Sequence, residues 1–362
     1  MTHPHQTSAV RSPQWLILRS RFLPLSFRIK AQVPAVVLGL GGLVVALLVI
    51  SVAHGEYPVP PLEVVRAILG GQTQNPDYLF VVNSLRLPRV LTALLAGMGL
   101  AIAGTITQGL LRNPLASPDI IGINNGAALA AVICIIAAPS VPTAILPIAA
   151  FSGGLVVAGL VYGLSWNRGT SPIRLVLVGI GFSLVTGAIT NILITFGNLN
   201  QVSQALVWLT GSVYGRTWDQ VWALAPWLMV SLPIVLLMAR DLNGLNLGDD
   251  TARGLGIALE WRRGILLLVA VLLSGASVAT AGTIGFVGFI APHISRQLVG
   301  PSHEGVILVA AVVGACLVMA ADLLGRSIFA PIELPCGLIT SLLGAPYFLM
   351  LMMKQRPSAG GV

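Results

Sequence analysis

Hydrophobic residues make up 56% of this 362-residue chain and charged residues only 9%. A soluble domain has about 25% charged residues, so the composition excludes a soluble globular protein and predicts an all-α polytopic membrane protein with one domain. The formal net charge of +8 is interpreted as the cation excess of cytoplasmic loops, so no nucleic-acid partner is expected.

The N-terminal segment 1–30 contains no Asp or Glu and is predicted to be a disordered, basic cytoplasmic tail that contacts anionic lipid. The apolar run 33–53 follows. It is longer than the apolar region of a signal peptide, and an uncleaved first span is therefore predicted, although residues 51–53 resemble a cleavage site.

Segment 86–126 predicts a helical hairpin in the membrane. Its RLPR start at 86–89 provides charged anchors, and an uncharged run follows over 90–111. At about 1.5 Å per residue this run crosses a hydrocarbon core of about 30 Å. The polar, proline-containing turn 112–119 then ends the span, and a second apolar run begins.

Apolar runs along the whole chain predict about ten transmembrane helices within a membrane domain that covers 31–356. Short helices outside the spans are expected at 62–69 and 201–209. The predicted spans are 33–53, 88–110, 120–138, 143–164, 173–196, 220–239, 265–282, 284–299, 305–324 and 336–353.

The distribution of cations predicts the orientation. With ten spans and both termini in the cytoplasm, 15 of the 20 Lys and Arg residues lie inside. The five outside are Arg66, Arg86, Arg89, Arg216 and Arg326. This three-to-one bias agrees with the positive-inside rule and favours a multi-pass protein of the cytoplasmic (inner) membrane.

The sequence indicates no catalytic residue, metal or cofactor. A P-loop needs Gly-Lys before Ser or Thr, whereas the only lysines are Lys30 and Lys354 and neither follows glycine. The three cysteines are not spaced as metal ligands and are interpreted as buried free thiols. Ionisable residues inside the spans, which proton-coupled transporters usually carry, are nearly missing; His293 is the one candidate and is interpreted as structural.

Several motifs resemble those of FecCD-type permeases, the membrane subunits of binding-protein-dependent importers for ferric siderophores, haem and cobalamin. The resemblance covers roughly 35–355. It rests on RLPR at 86–89, RNPLASPDIIG at 112–122, LGDDTARGLG at 247–256, GTIGFVGFIAPH at 282–293, ADLLGR at 321–326 and ELPCG at 333–337. It implies a type II ABC importer fold like that of the cobalamin permease. The second and third motifs are most similar to ferric-enterobactin permeases.

The resemblance also implies roles at the cytoplasmic side. The long charged segment near 241–263 is expected to contain a coupling loop that docks into a cleft of an ATPase subunit. An ordinary solvated loop is the alternative. The coupling-loop residues are Gly248, Asp249, Asp250, Arg253, Leu255 and Gly256.

A cytoplasmic gate is implied at Asn113 and Leu115, where a simple Asn-Pro turn is the alternative. The loop before Arg174 departs from the pattern of the cobalamin permease, so the resemblance does not support a second gate at that position.

Three arginines on the predicted outer face are assigned to docking of a substrate-binding protein. By resemblance, Arg86, Arg89 and Arg326 are expected to meet glutamates on the two lobes of that protein. Because the RLPR pair and Arg326 are distant in sequence, they are expected to touch it at different points. The alternative is that these arginines snorkel to the membrane interface.

The resulting prediction is the permease subunit of an ABC importer for a ferric siderophore, with an iron(III)-catecholate complex favoured and haem or cobalamin as alternatives. The expected partners are an ATPase dimer, a second permease subunit in a homodimer or a homologous heterodimer, a periplasmic binding protein and membrane lipid. A stand-alone secondary transporter and an integral-membrane enzyme are the rival classes. The former should work without an ATPase, and no catalytic constellation supports the latter.

Overall fold

The computed structural model describes residues 15–19, 26–167 and 169–354. Arg11, Arg21, Arg168 and Arg356, which enter the predicted orientation, lie outside these ranges. The described residues form two short strands and a helical bundle. The strands are β1 (Trp15–Arg19) and β2 (Ser26–Lys30); the helices are α1 (Gln32–Ala53), α2 (Pro61–Ile68), α3 (Pro76–Phe80), α4 (Leu87–Leu111), α5 (Ile123–Val132), α6 (Leu146–Ser165), α7 (Pro172–Phe196), α8 (Leu199–Leu209), α9 (Trp218–Leu237), α10 (Ala239–Asn246), α11 (Asp249–Gly254), α12 (Leu259–Ala281), α13 (Val287–Val299), α14 (His303–Ser327) and α15 (Cys336–Lys354).

Eight helical segments in the described ranges are long and apolar enough to cross a membrane. They include α3, the π-helical Val81–Arg86 and α4, which form one segment. The third and eighth predicted spans correspond to two shorter helices, Ile123–Ala137 and α13. Eight of the ten predicted spans are therefore long and apolar enough to cross a membrane, whereas the third and eighth are helices too short to count among them. The short helices predicted near 62–69 and 201–209 are α2 and α8.

Helix α4, the first arm of the predicted hairpin, lies at the centre of the bundle. It packs against α9, α12, α13 and α14. In the apolar stretch of its span 78% of the residues are buried, compared with 11% in that of α1. Glycines permit the close contacts. A Cβ on Gly97 would lie 2.2 Å from the Gly314 carbonyl oxygen, and one on Gly104 would lie 1.9 Å from that of Gly288. Small residues thus let helix backbones meet where lipid supplies no hydrophobic drive for association.

The bundle has two ends. The Arg112 end carries the 112–122 turn, the 166–171 loop, α10 and α11, and the sequence predicts it to be cytoplasmic. The Arg89 end carries the connections around 54–86, 197–217 and 328–335, and is predicted to face outward.

The N-terminal tail differs from the expectation of disorder. Strands β1 and β2 pair antiparallel, with Trp15 opposite Lys30 and Arg19 opposite Ser26. The guanidinium of Arg28 lies 4.3 Å from the centre of the Trp15 ring. Trp15, Ile17, Phe27 and Ile29 belong to the residue types that are enriched in strands, so the sequence of this basic segment is compatible with a hairpin.

Candidate functional site

The turn after α4 is built by Arg112 and Asn113. Arg112 adopts a left-handed backbone conformation, with φ of 51°, and ends the helix. The Asn113 Oδ1 then accepts a hydrogen bond of 2.9 Å from the backbone N–H of Leu115, which is the local turn that Asn favours. Leu115 is half-buried and packs against the cluster of Phe289, Ile290 and Leu351. Asn113 is exposed, so the two predicted gate residues have different surroundings.

Helix α11 presents the predicted coupling residues in two groups. The exposed group consists of Asp250, Arg253 and Leu255; the Asp250 side chain is fully exposed, and its 3.3 Å ion pair with Arg253 lies on the surface. Gly248 and Gly256 flank the helix with positive φ angles of 116° and 79°, a conformation that favours glycine. This group can contact another protein without rearrangement of the permease.

Asp249 forms the second group and faces its own subunit. Its Oδ1 accepts hydrogen bonds from Arg112 and, at 2.9 Å, from the Nη2 of Arg263. Burial opposes its ionisation, but the bond from Arg112 and the charge of Arg263 together hold the pKa of Asp249 below its usual range. Asp249 is therefore a structural anchor for α11, a role that the sequence did not distinguish from those of Asp250 and Arg253.

Arg263 extends this network to a third segment. Its side chain is only 1% exposed, and its Nη1 donates to the Thr170 carbonyl at 2.6 Å. Thr170 in turn donates from its backbone N–H and its hydroxyl to Glu260, at 3.0 and 2.8 Å. The turn after α4, α11 and the loop around Thr170 are thus joined by one polar network, which we call the coupling network: Arg112, Thr170, Asp249, Glu260 and Arg263. Sequence reasoning did not single out Arg263 and Glu260, because both lie in a long charged segment whose members all look solvated.

At the opposite end, Arg86, Arg89 and Arg326 line one cavity of about 560 Å³ together with Glu333. They are expected from the sequence to touch a partner at different points. The packing of α4 against α14 instead brings the RLPR motif next to Arg326, so the three arginines lie together on one surface. We call these three residues the arginine cluster.

Two of the arginines complete the end of α1. Arg86 donates to the carbonyls of Val52 and Ala53 at 2.8 and 3.2 Å, and Arg326 donates to those of Ser51 and His54. The last carbonyls of a helix have no partner within the helix and attract cations. Arg86 and Arg326 therefore have a structural role in this subunit.

Arg89 has acidic partners. Its Nε and Nη2 donate to Asp322 at 3.1 and 2.7 Å, and its Nη1 lies 2.9 Å from Glu333. The Arg89 side chain is 12% exposed and that of Asp322 only 5%, whereas that of Glu333 is 33% exposed. The contact with Glu333 is thus the one most open to exchange with a carboxylate from outside.

Comparison with known proteins places these features in a family. The model of the FecCD transport family matches residues 43–354. The chain is 45% identical to the achromobactin transport system permease protein CbrC of Dickeya dadantii, over 87% of this chain and 90% of that protein. It is 40% identical to the Fe(3+) dicitrate transport system permease protein FecD of Escherichia coli, over 85% and 94%. A solved ABC transporter described as of the metal-chelate type, in an inward-facing conformation, superposes with a TM-score of 0.80 at 30% identity, over 89% of this chain and 99% of that chain.

Proposed function

Because this chain belongs to the FecCD transport family and is a membrane-embedded permease of an ABC importer rather than an enzyme, we propose that it moves a ferric siderophore across the cytoplasmic membrane. Both of its termini lie on the cytoplasmic side in this proposal. The observation that carries this proposal is the coupling network, which bonds an exposed helix to the turn at the inner end of the central span. Such a link is what a transporter driven by a separate ATPase requires.

The ATPase contact is assigned to the exposed face of α11. Asp250, Arg253 and Leu255 project from the Arg112 end, and we assign them to docking in the ATPase cleft. Leu255, 63% exposed, supports a protein contact, because the fully buried core of an interface is more apolar than the rest of the protein surface. Two ATPases then act on two permease subunits, the second being either a copy of this chain or a homologue.

The gate is assigned to the turn of Asn113 and Leu115. Leu115 packs on the cluster of Phe289, Ile290 and Leu351, so a displacement of the turn relative to this cluster would break an apolar contact at the inner end of α4. The bond from Arg112 to Asp249 transmits motion of α11 to this turn. The alternative, a turn without a gating role, predicts no change in leak when the contact is removed.

Docking of the periplasmic binding protein is assigned to the arginine cluster. Arg89 is the residue best placed for it, because its Glu333 partner is partly exposed, and Arg86 and Arg326 support the same surface by holding the end of α1. A carboxylate of the binding protein would then exchange with Glu333, and the desolvated pair with Asp322 would remain.

The cargo within the iron-chelate class is proposed from the motifs. Segments 112–122 and 247–256 resemble ferric-enterobactin permeases, which favours an iron(III)-catecholate complex. Relatives are named for achromobactin and Fe(3+) dicitrate, so other siderophores and ferric citrate are further candidates within this class. Haem or cobalamin is the second candidate outside it.

Uptake in cells tests this proposal. A strain that lacks this chain should lose energy-dependent uptake of one of four radiolabelled cargos, namely ferric catecholate, ferric citrate, haem or cobalamin, and a plasmid copy should restore it. Unchanged uptake of ferric catecholate and ferric citrate in the deletion strain would contradict the proposed cargo, and loss of haem or cobalamin uptake instead would select the second candidate.

A further inference from the structure

A second cavity at the Arg89 end has the size of a small-molecule site. Its volume is about 680 Å³, within the range of roughly 300–1,000 Å³ for ligand pockets. It lies between the start of α6, α8, the 211–217 turn and the start of α9, and α12 forms part of its wall. Its polar side chains include Thr143, Gln204, Tyr214, Arg216, Asp219 and Gln220.

Arg216 is the cation of this cavity. Its Nε is buried and has no hydrogen-bond partner, and none of the Asp and Glu side chains that the structure describes lies within ion-pair distance of its guanidinium. Asp219 also lines the cavity, but it is exposed and accepts instead from the Thr217 hydroxyl at 3.2 Å. Arg216 is partly buried, and a guanidinium withdrawn from water without a counter-ion is costly, so an anionic ligand would reduce that cost.

The backbone around Arg216 also favours an anion. Arg216 precedes the N-terminus of α9, where the aligned peptide dipoles add positive potential. A cation is normally unfavourable at this end of a helix. Burial lowers the pKa of the Arg216 guanidinium, which agrees with a charge that its own subunit leaves uncompensated.

This cavity adjoins the one that contains the arginine cluster. Tyr214 lines both, and the Arg89 guanidinium carbon lies 5.5 Å from the centre of its ring. Tyr214 is 67% exposed and forms part of the boundary between the two cavities. A ligand released at the arginine cluster would meet the Arg216 cavity next.

We propose that the Arg216 cavity binds the anionic oxygen groups of a ferric chelate as the cargo enters the permease. A guanidinium holds a carboxylate through two parallel hydrogen bonds, while Gln204 and Gln220 add neutral donors beside it. The site selects anionic iron chelates over neutral ones. This inference rests on the proposed transport of iron chelates and specifies their charge.

Equilibrium dialysis tests the site directly. The purified complex of permease and ATPase subunits is dialysed against two radiolabelled probes, the anionic iron(III)–citrate complex and a neutral iron(III)–trihydroxamate complex. The variants are Arg216→Gln, Arg216→Lys and, as a matched control, Arg66→Gln. Arg66 belongs to the same predicted outer face but pairs with Glu63 at 2.6 Å and does not line the cavity.

The proposal predicts that Arg216→Gln weakens binding of iron(III)–citrate by about ten-fold or more, the scale of a lost charge-assisted hydrogen bond. Arg216→Lys should retain part of the affinity, and Arg66→Gln should match the wild type. Affinity for the neutral complex should not change. Equal loss of both probes in Arg216→Gln would indicate a structural role and overturn the proposal, as would unchanged citrate binding or no citrate binding by the wild type.

The cellular uptake assay separates this inference from the proposed function. If uptake of a ferric chelate depends on this chain but Arg216→Gln neither weakens binding nor slows uptake, only the Arg216 site is contradicted. If no ferric chelate depends on the chain for uptake, the proposed cargo class itself fails.

Discussion

The guanidinium of Arg112 is bonded directly to the carboxylate of Asp249. Arg112 ends the central helix α4 and begins the turn of Asn113 and Leu115, whereas Asp249 is the first residue of α11. Arg112 also donates from its Nε to the Leu245 carbonyl at 2.8 Å, near the end of α10. Arg112 therefore connects the end of α4 directly to α11 through Asp249 and to α10 through Leu245.

The exposed residues of α11 should contribute to ATPase docking without contributing to folding. In the double variant Asp250→Ala with Arg253→Ala, we expect an unchanged Tm, because an exposed ion pair contributes only about 0–1 kcal/mol. Co-purification of the ATPase and uptake should both fall. Normal co-purification and uptake at normal expression would show that α11 is an ordinary solvated helix.

Asp249 should behave differently from its neighbours. Asp249→Ala leaves the buried Arg263 without this counter-charge, and the expected loss of unfolding free energy is about 1–3 kcal/mol, measured by thermal unfolding in detergent. Since its folded pKa is depressed, the stabilisation is present above the unfolded pKa of about 3.9 and is lost as pH falls through the folded value. Asp250→Ala is the matched control. Equal Tm values for the two variants at pH 7 would refute the anchoring role.

Leu115 should keep the inner end of the path closed. Leu115→Ala removes an apolar contact with the cluster of Phe289, Ile290 and Leu351, so passive leak of small solutes from proteoliposomes should rise severalfold without ATP. Leu255→Ala, also a leucine truncation at the Arg112 end but outside this contact, should not leak. A leak rate that stays at the wild-type value in Leu115→Ala would leave only the turn function.

Arg89 should bind a carboxylate of the substrate-binding protein in the place that the Glu333 carboxylate occupies in this structure. Glu333→Gln should preserve or strengthen binding of the substrate-binding protein, because it frees one donor of Arg89 while the pair with Asp322 persists. Arg89→Gln should weaken binding and also lower Tm, because it removes a partner of the buried Asp322. Surface plasmon resonance and thermal unfolding measure the two effects. Weaker binding in Glu333→Gln would assign the docking charge to Glu333 instead.

The sequence predicted the helices well because apolar runs bounded by charges and prolines mark membrane spans directly. Span boundaries such as those of α1 and α7 agree with 33–53 and 173–196 to within a residue or so at each end. The two shorter helices were predicted as spans because apolar length alone does not show where a π-helical end or a glycine turn interrupts a segment. The hairpin of β1 and β2 was missed because its pairing is set by cross-strand contacts and not by hydrophobic periodicity.

The site residues were predicted by position but not by environment. Sequence placed Asp249, Asp250 and Arg253 in one loop, yet only the fold shows that Asp249 faces Arg263 and the others face outward. In the same way, the RLPR motif and Arg326 are separated by most of the chain and meet only through the packing of α4 on α14. Contacts between distant segments depend on tertiary packing, which one sequence does not encode in a local pattern.

Energy coupling in proteoliposomes tests the central claim most directly. The complete complex, with radiolabelled ferric chelate bound to its binding protein outside and ATP enclosed inside, should accumulate iron in the lumen. Omission of ATP, or the double variant Asp250→Ala with Arg253→Ala, should reduce accumulation to background. Accumulation at the wild-type rate without ATP would contradict the account and favour a secondary transporter, and accumulation at that rate in the double variant would separate α11 from coupling.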